Sequence, residues 1–515
     1  MANSKEQFFS IGKTFNKRLT FSVALIAISQ FNFGFDQQAY STTQAMDHFE
    51  RQFGSYDEEE GHWTIPPYEL SLLNSLPYLG FIVGLLAGSE ISARYGRRLV
   101  MFVMSIYALC TAAITFSSRS FSQILAARIL NYAYVGMELA VVPVFQSEIV
   151  PKQVRGLIVE TYQLMLYFGG LIMSIICFGT QKLNDDRQWK IPFGLFFIIP
   201  SIVATGIWFI PEVSPRWLLW KGREEEAIAS LRELRDGCFS DDEIKAELDG
   251  LRIILAEEED KGTFMDLWKP INLKRSMITI GINFFLQLTG NIFANKYGTV
   301  YIKSLGSVDP FTMTVINQLV NLSGVVVSMS LVDRIGRRPL LLLGSLIQLS
   351  SLYTMAGLGV GETSAPIRVG IVAMLTVFGF GFSVGWAPVS HILSAEIPPT
   401  RLRDMTYRTA SAVNILVQFA ISFSIPYLLD KPYAALGSKV GFIFGTAAIF
   451  AGIFAFFCVP ECNGRTLEEI DQLFRDSMPM RQFKNVKSVT LGDQVPNSSK
   501  IDDDENGKQT DVRVE

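Results

Sequence analysis

Asp333-Arg334-Ile335-Gly336-Arg337-Arg338 closes one long apolar run of the chain, and Arg94-Tyr95-Gly96-Arg97-Arg98 closes another about 240 residues earlier. Two further pairs keep nearly the same offset. Glu148 and Arg155 stand seven apart, as do Glu396 and Arg403, and Pro211-Glu212 is matched by Pro460-Glu461. Three matched pairs at near-constant spacing predict two halves of like construction. The apolar runs supply their content. A helix needs about 20 apolar residues to cross a bilayer core, and a backbone in lipid must satisfy its own hydrogen bonds. Twelve runs qualify, at approximately 20–40, 70–92, 99–117, 122–145, 157–179, 191–210, 277–301, 311–332, 339–360, 367–394, 407–428 and 440–459.

The expected fold is an all-α membrane protein, with twelve transmembrane helices in two pseudo-symmetric six-helix bundles. Residues 20–210 and 277–460 form the bundles. Residues 1–19, a linker at 211–276 and a tail at 461–515 lie outside them. Composition agrees. Of 515 residues 49% are hydrophobic and only 18% charged, where a soluble chain carries roughly 25% charged. That excludes an ordinary soluble enzyme and a disordered scaffold. A net charge of −4 gives no basic excess, so no nucleic-acid partner is expected. His48, His62 and His391 lie far apart, the five cysteines lack zinc or redox spacing, and no metal or cofactor is expected. Cys110, Cys177 and Cys458 sit in apolar stretches as packing residues.

Basic residues set the orientation. Lys5, Lys13, Lys17 and Arg18 precede the first span, and the arginines of the two quoted turns follow spans 2 and 8. The opposite turns hold Arg119, Lys303 and Arg368 nearly alone. Both termini are expected in the cytosol, and no removable signal peptide is evident. The first outer loop, Ser41 to Glu69, is long and acidic. In the linker, Ser240 with Glu243 fits a capping box. Ile244, Leu248, Leu251 and Leu255 then recur at helical spacing, so short surface helices are expected. Thr466 with Glu469 starts the tail in the same way, and its polar end reads as disordered.

Repeats related by symmetry are the signature of secondary transporters, whose solute sites lie between the repeats near mid-bilayer. The repeated acids and arginines sit at span ends. Arg97, Arg98, Arg337 and Arg338 either enforce topology alone or latch helix ends, breaking as the cleft opens inward.

With these residues in view, the chain resembles the sugar porter family of the major facilitator superfamily over about residues 20–470. The resemblance rests on Gly34-Phe35-Asp36, the two arginine turns, Pro143 with Glu148 and Arg155-Gly156, and Pro211-Glu212 with Ser214-Pro215-Arg216-Trp217-Leu218. Gln287-Leu288-Thr289-Gly290, Pro388 with Glu396 and Arg403, and Pro460-Glu461 complete it. The departures carry information. Ala93 replaces a family acid while its twin Asp333 is kept, and Val213 is inserted. Leu286 stands where the family has the first of two glutamines, and Ile292 replaces a family asparagine beside Asn291. Lys296 replaces the first of a gating tyrosine pair and Tyr297 keeps the second. His391 stands at the position of a sugar-stacking tryptophan. The Gly-Asn variant is similar to fungal members.

The resemblance assigns roles. Asp36 would exchange a coupling proton and Arg128 would pair with it. An ionisable group inside a span is by default a functional hypothesis. A nearby cation favours the carboxylate and burial favours the acid, so moving Arg128 away lets Asp36 take a proton. The alternative is a permanent structural ion pair. Gln163, Gln287, Asn321 and Asn414 match family sugar ligands. Amides suit a polyol because each offers donors and an acceptor, but they also serve as interhelical hydrogen bonds. Trp386 and Phe33 are candidate apolar walls and His391 a candidate ligand. Arg97, Arg98, Glu148, Arg155, Glu212, Arg216, Tyr297, Asp333, Arg337, Arg338, Glu396, Arg403 and Glu461 form the gating and latch set. Glu138, Lys296 and Arg408 are further charges, which form private ion pairs or bind a solute more polar than glucose.

The expected function is transport of a sugar or sugar-like polyol by alternating access, as proton symport. The expected particle is a monomer without cofactor in the plasma membrane. The rivals are a carrier of a quinate-like acid, a glycoside or an exported secondary metabolite, and a non-transporting sugar sensor. The chain is not expected to be an enzyme: glycines at 357–361 and 379–381 lack the strand that a nucleotide fold requires.

Overall fold

The structure is a computed structural model that describes residues 15–58, 61–151, 155–210, 214–258, 263–361, 364–465, 467–476 and 478–485. Twelve helical segments among them are long and apolar enough to cross a membrane, and they fall on the twelve predicted runs. The first half contains α1 (Lys17–Thr43), α3 (Pro67–Ser75) continued by α4 (Pro77–Tyr95), α5 (Arg97–Phe116), α6 (Phe121–Ile149) and α7 (Arg155–Thr180). Its sixth span is α8 (Arg187–Gly194) and α9 (Ile198–Gly206), joined through a 3₁₀ turn. The second half contains α13 (Pro270–Leu288) with α14 (Gly298–Leu305), α15 (Pro310–Ile335), α16 (Arg337–Leu358), α17 (Ala365–Val384) with α18 (Trp386–Glu396), α19 (Arg403–Leu429) and α20 (Val440–Cys458).

Local chemistry sets the ends. The Asn16 side chain accepts from the Leu19 amide at 2.7 Å and starts α1. Asp309 does the same for α15, with Pro310 at its first position. At both arginine turns a glycine carries the bend. Gly96 has φ 89° and ψ 167°, and Gly336 has φ 103° and ψ 166°, a region essentially confined to glycine. The repeat seen in the sequence is therefore a repeated backbone bend.

The linker holds α10 (Pro215–Trp220), α11 (Glu224–Arg235) and α12 (Asp241–Glu258). The predicted capping box is present: the Ser240 amide donates to Glu243 at 2.8 Å, and the Glu243 amide to Ser240 Oγ at 3.3 Å. Ile244, Leu248 and Leu251 are buried as expected. A second box, Thr263 with Asp266, went unremarked in the sequence; the Lys269 ammonium, and after it the Thr263 amide, draw the half-buried Asp266 carboxyl down to about 2. The tail forms α21 (Leu467–Arg475). Thr466 and the polar end expected to be disordered lie outside the described residues.

The long acidic loop differs from expectation. It folds as α2 (Asp47–Phe53) and a two-stranded hairpin, β1 (Ser55–Asp57) on β2 (His62–Thr64), with Tyr56 opposite Trp63. The two rings pack edge to face at 5.7 Å, which holds a pairing too short to show as a strand pattern. The helix docks because Phe49 and Phe53 pack on Trp189. This end of the molecule is called the loop end below, and the opposite one the linker end.

Candidate functional site

Between the halves, α7 packs along α15 and α3 along α19. One apolar core crosses this seam, joining Phe35 and Phe196 of the first half to Phe293, Tyr301 and Phe444 of the second. Polar bridges reinforce the seam. Gln318 Nε2 donates to Gln38 Oε1 at 2.6 Å, Ser71 Oγ to the Phe423 carbonyl at 2.6 Å, and Ser422 Oγ to the Asn74 carbonyl at 3.0 Å. At the surface Lys303 Nζ lies 2.7 Å from both Asp47 and Glu50. The seam is thus closed at the loop end.

Three breaks in the membrane helices supply the inner surface. In the seventh span the Gln-Leu-Thr-Gly motif is where α13 stops, with Gly290 at φ 96°. A π-helical turn, Phe293–Tyr297, then leads into α14. The second span bends at Pro77 between α3 and α4, and the tenth at Gly385 between α17 and α18. A water-sized cavity of about 20 Å³ lies against the π-turn, lined by Gln38, Asn295, Thr299, Asn317, Gln318 and Asn321 among others. Of these only Asn321 was singled out in the sequence. Asn317 stands one helical turn before it on the same face, which is the signal that would have found it.

The other amides spread around this seam. Asn414 Nδ2 donates to the Asn283 carbonyl at 3.3 Å, and Asn283 Nδ2 to Ser394 Oγ at 2.9 Å. Gln287 is buried on the last turn of α13, and Gln163 is half-buried on α7. Phe33 packs, half-buried, against the first-half core. Trp386 points elsewhere. It is wholly buried in the second-half core and donates its indole N–H to Ser345 of α16 at 2.8 Å, so it lies behind the cleft lining rather than on it. His391 is exposed, with Tyr407 Oη 3.5 Å from its Nδ1.

Asp36 and Arg128 are both buried inside the first half and face protein, not lipid. The expected ion pair is not formed, and this corrects the sequence reading. Asp36 Oδ2 instead takes the amide of Asn32 at 3.3 Å and that of Asn131 at 3.5 Å. Arg128 Nη2 donates to Asn74 Oδ1 at 3.0 Å, and its guanidinium lies 4.7 Å from the Tyr40 ring centre. The bend of the second span presents Asn74, and this competing acceptor draws the guanidinium away.

Lys296 makes no private ion pair among the described residues. Its ammonium donates to Tyr132 Oη at 3.0 Å and lies 4.2 Å from the Tyr78 ring centre and 4.9 Å from that of Tyr132. It thus reaches from the second half into an aromatic pocket of the first. Tyr297 beside it donates to the Ser422 carbonyl at 2.6 Å. Among the described residues Glu138 has no hydrogen-bond partner on either carboxyl oxygen, and Arg408 is exposed.

The linker end carries the repeated charges, each pair within its own half. Arg97 binds Glu148 through two nitrogens at 3.0 and 2.9 Å. Arg337 reaches Glu396 at 3.2 Å and Asp333 at 3.2 Å. The Arg337 and Arg338 amides donate to the Glu461 carboxylate at 3.0 and 3.1 Å. Arg98 donates to the Trp208 carbonyl at 2.9 Å while stacking on its ring, and Arg338 repeats this on Phe456. Arg216 stands on α10 and Arg403 opens α19. The Arg155 side chain and Glu212 lie outside the described residues.

Two six-helix halves, a polar seam between them and matched charge clusters at one end define a multi-pass membrane carrier of the major facilitator fold. A family model described as "Sugar (and other) transporter" matches residues 22–474, and the chain belongs to this family, the sugar porters. The high glucose sensor RGT2 of Saccharomyces cerevisiae is 31% identical over 461 residues, which cover 87% of this chain and 60% of the sensor's length. The low-affinity glucose transporter HXT3 of the same yeast is 29% identical over 497 residues, covering 93% of this chain and 86% of that protein. Among solved structures, the xylose transporter XylE from E. coli in a partially occluded inward-open conformation matches with TM-score 0.71 at 19% identity, covering 88% of this chain and 100% of that one. The proton:xylose symporter XylE bound to 6-bromo-6-deoxy-D-glucose also gives 0.71, at 20% identity over 89% of this chain and 99% of that one.

Proposed function

We propose that this sugar porter is a secondary active carrier of a sugar or sugar-like polyol, working as a monomer by alternating access and taking up a proton on Asp36. The observation that carries the reading is a buried carboxyl held by two amides, with its arginine drawn off to the closed seam. An acid without a counter-ion inside a span accepts a proton readily, because burying an unpaired charge is costly. When Arg128 returns, the carboxylate is favoured again. Gln163, Gln287, Asn321 and Asn414, with Asn317 and Gln318, supply the donors and acceptors that a polyol matches. Phe33 and His391 border the path, the linker end faces the cytosol, and the membrane is the plasma membrane.

Coupling requires that solute and proton interact differently with the two orientations. Labelled hexoses, pentoses and organic acids offered to a hexose-transport-deficient host identify the solute. Asp36→Asn then abolishes uphill accumulation and spares exchange. A variant that still concentrates solute removes Asp36 as the proton site. The exposed Arg408 and His391 favour a second reading, an anionic solute; uptake of hexose with no response to organic acids excludes it. Flux in proteoliposomes excludes a pure sensor.

A further inference from the structure

Asp36 is 3% exposed and the loop end is closed, so a proton on it has no direct contact with water. It needs a route, and the first half contains an unused acid in line with one. Glu138 is 0% exposed, and neither of its carboxyl oxygens has a hydrogen-bond partner. It stands on α6, seven residues from Asn131, which holds Asp36. Seven residues are close to two turns, so both project from the same face. Tyr134 lies between them, and its hydroxyl takes the amide of Asn32, which also binds Asp36. Asp36 is thereby joined to the turn of α6 immediately before Glu138. Beyond Glu138 comes Tyr162 of α7, whose hydroxyl likewise has no hydrogen-bond partner. Tyr162 interacts electrostatically with both Glu138 and Tyr407. Tyr407 touches His391, which is exposed.

We propose that Glu138 is a proton relay between Asp36 and the exposed surface at His391. The step is a plain transfer. Neutral Glu138 first releases its own proton to water beside Tyr162, Tyr407 and His391, and the carboxylate so formed takes the Asp36 proton through the Tyr134 hydroxyl. A fixed structural charge would need a counter-ion at this depth, and none is present among the described residues. A relay is charged only in transit and needs none. Among the described residues, the titratable groups that interact with Glu138 are Asp36 from α1, Tyr134 on its own helix and Tyr162 from α7. On α4, which packs against the same helix, Glu90 and Arg94 pair with each other in the exposed layer. On α5, Tyr107 is bonded to the Leu130 carbonyl and Cys110 is exposed.

The proposal rests on Asp36 as the proton site, and the test separates the two. Infrared difference spectra of purified protein after a pH jump follow carboxyl C=O bands directly and need no solute. The Asp36 band is the one lost in Asp36→Asn. Glu138→Gln should slow its response tenfold or more without changing its final amplitude, and Glu138→Asp should restore the rate. Tyr162→Phe should also slow it, and it tests the route if Glu138→Gln does not fold. An Asp36 band that responds in Glu138→Gln, or in Tyr162→Phe where that variant stands in, at the wild-type rate overturns the relay. A wild-type Asp36 band that never responds to pH overturns the proton-site reading instead.

Discussion

Replacing Tyr132 by Phe removes one oxygen from the seam and leaves its aromatic surface in place. That oxygen is the acceptor for the Lys296 ammonium, which is 3% exposed and reaches it at 3.0 Å. A hydrogen bond to a charged group contributes about 1.5–3 kcal/mol, and an unpartnered charge left buried costs at least as much. The two aromatic faces, Tyr78 and the new Phe, remain, each supplying up to about 2 kcal/mol to a desolvated cation, so the ammonium stays but is underserved. When the loop end opens, water replaces the lost acceptor. Tyr132→Phe should therefore lower the closed-to-open ratio by roughly 10- to 150-fold, taking about 1.4 kcal/mol per factor of ten.

Lys296→Met supplies the control. It keeps the stem and removes the charge, so no ammonium is stranded when the phenol oxygen goes. On that background Tyr132→Phe should move the ratio by no more than about twofold, the usual tolerance for unlinked sites. Spin labels at Tyr68 of α3 and Tyr433 beyond α19, both exposed at the loop end, report the separation in a chain with its five cysteines replaced. If Tyr132→Phe has the same effect on both backgrounds, the ammonium does not hold the seam.

Two further expectations follow from single positions. Gly336→Ala places a methyl 2.6 Å from the Glu461 carboxylate at a backbone angle of φ 103°, so it should cost more than the ~1–3 kcal/mol of backbone strain alone. Gly222→Ala, also at positive φ but with open space around it, should cost only the strain. Equal thermal shifts in detergent would show that the carboxylate clamp is unimportant. Glu50 lies in α2, outside the membrane helices, and burial holds its carboxyl above the ordinary value while Lys303 pulls it down. With the loop end open the group is solvated at its ordinary value, so the closed state binds the proton more tightly. Acidification just above the usual carboxylate range should therefore favour closure, even though it weakens the Lys303 pair. The same labels read this as wild type minus Glu50→Gln, and opening on acidification in that difference would refute it.

The spans were legible because crossing a bilayer demands length and apolarity, and little else in a chain produces both twelve times. The arginine turns were legible because a repeated bend needs glycine at a repeated place. The breaks at Pro77 and Gly385 were not, since helix and break share one apolar composition there. Trp386 could have been placed. It precedes His391 by five residues, about 500° around a helix or 140° net, so the two cannot both face the cleft. The separation of Asp36 from Arg128 was not legible, because Asn74 competes from a helix some fifty residues away and only its bend brings it near.

The two halves match where they touch the linker end and diverge where they face each other. Arg97 and Arg337, and Arg98 with Arg338, repeat the same contacts almost atom for atom, as a scaffold built twice would. Inside, the buried unpaired acids Asp36 and Glu138 belong to the first half, whereas Asn283, Asn295, Asn317, Asn321 and Asn414 belong to the second. On the proposed function, proton chemistry and most solute chemistry thus sit on opposite sides of one seam. Neither half can couple them alone. Coupling must pass through contacts that cross the seam, Gln38 with Gln318 and Lys296 with Tyr132 among them. Arg128 stands at that crossing, bonded to Asn74, whose own carbonyl holds Ser422 of the opposite half. On the proposed function, an arginine that leaves the proton site to brace the closed gate would give the two events a common part, and that shared part would let protonation select an orientation.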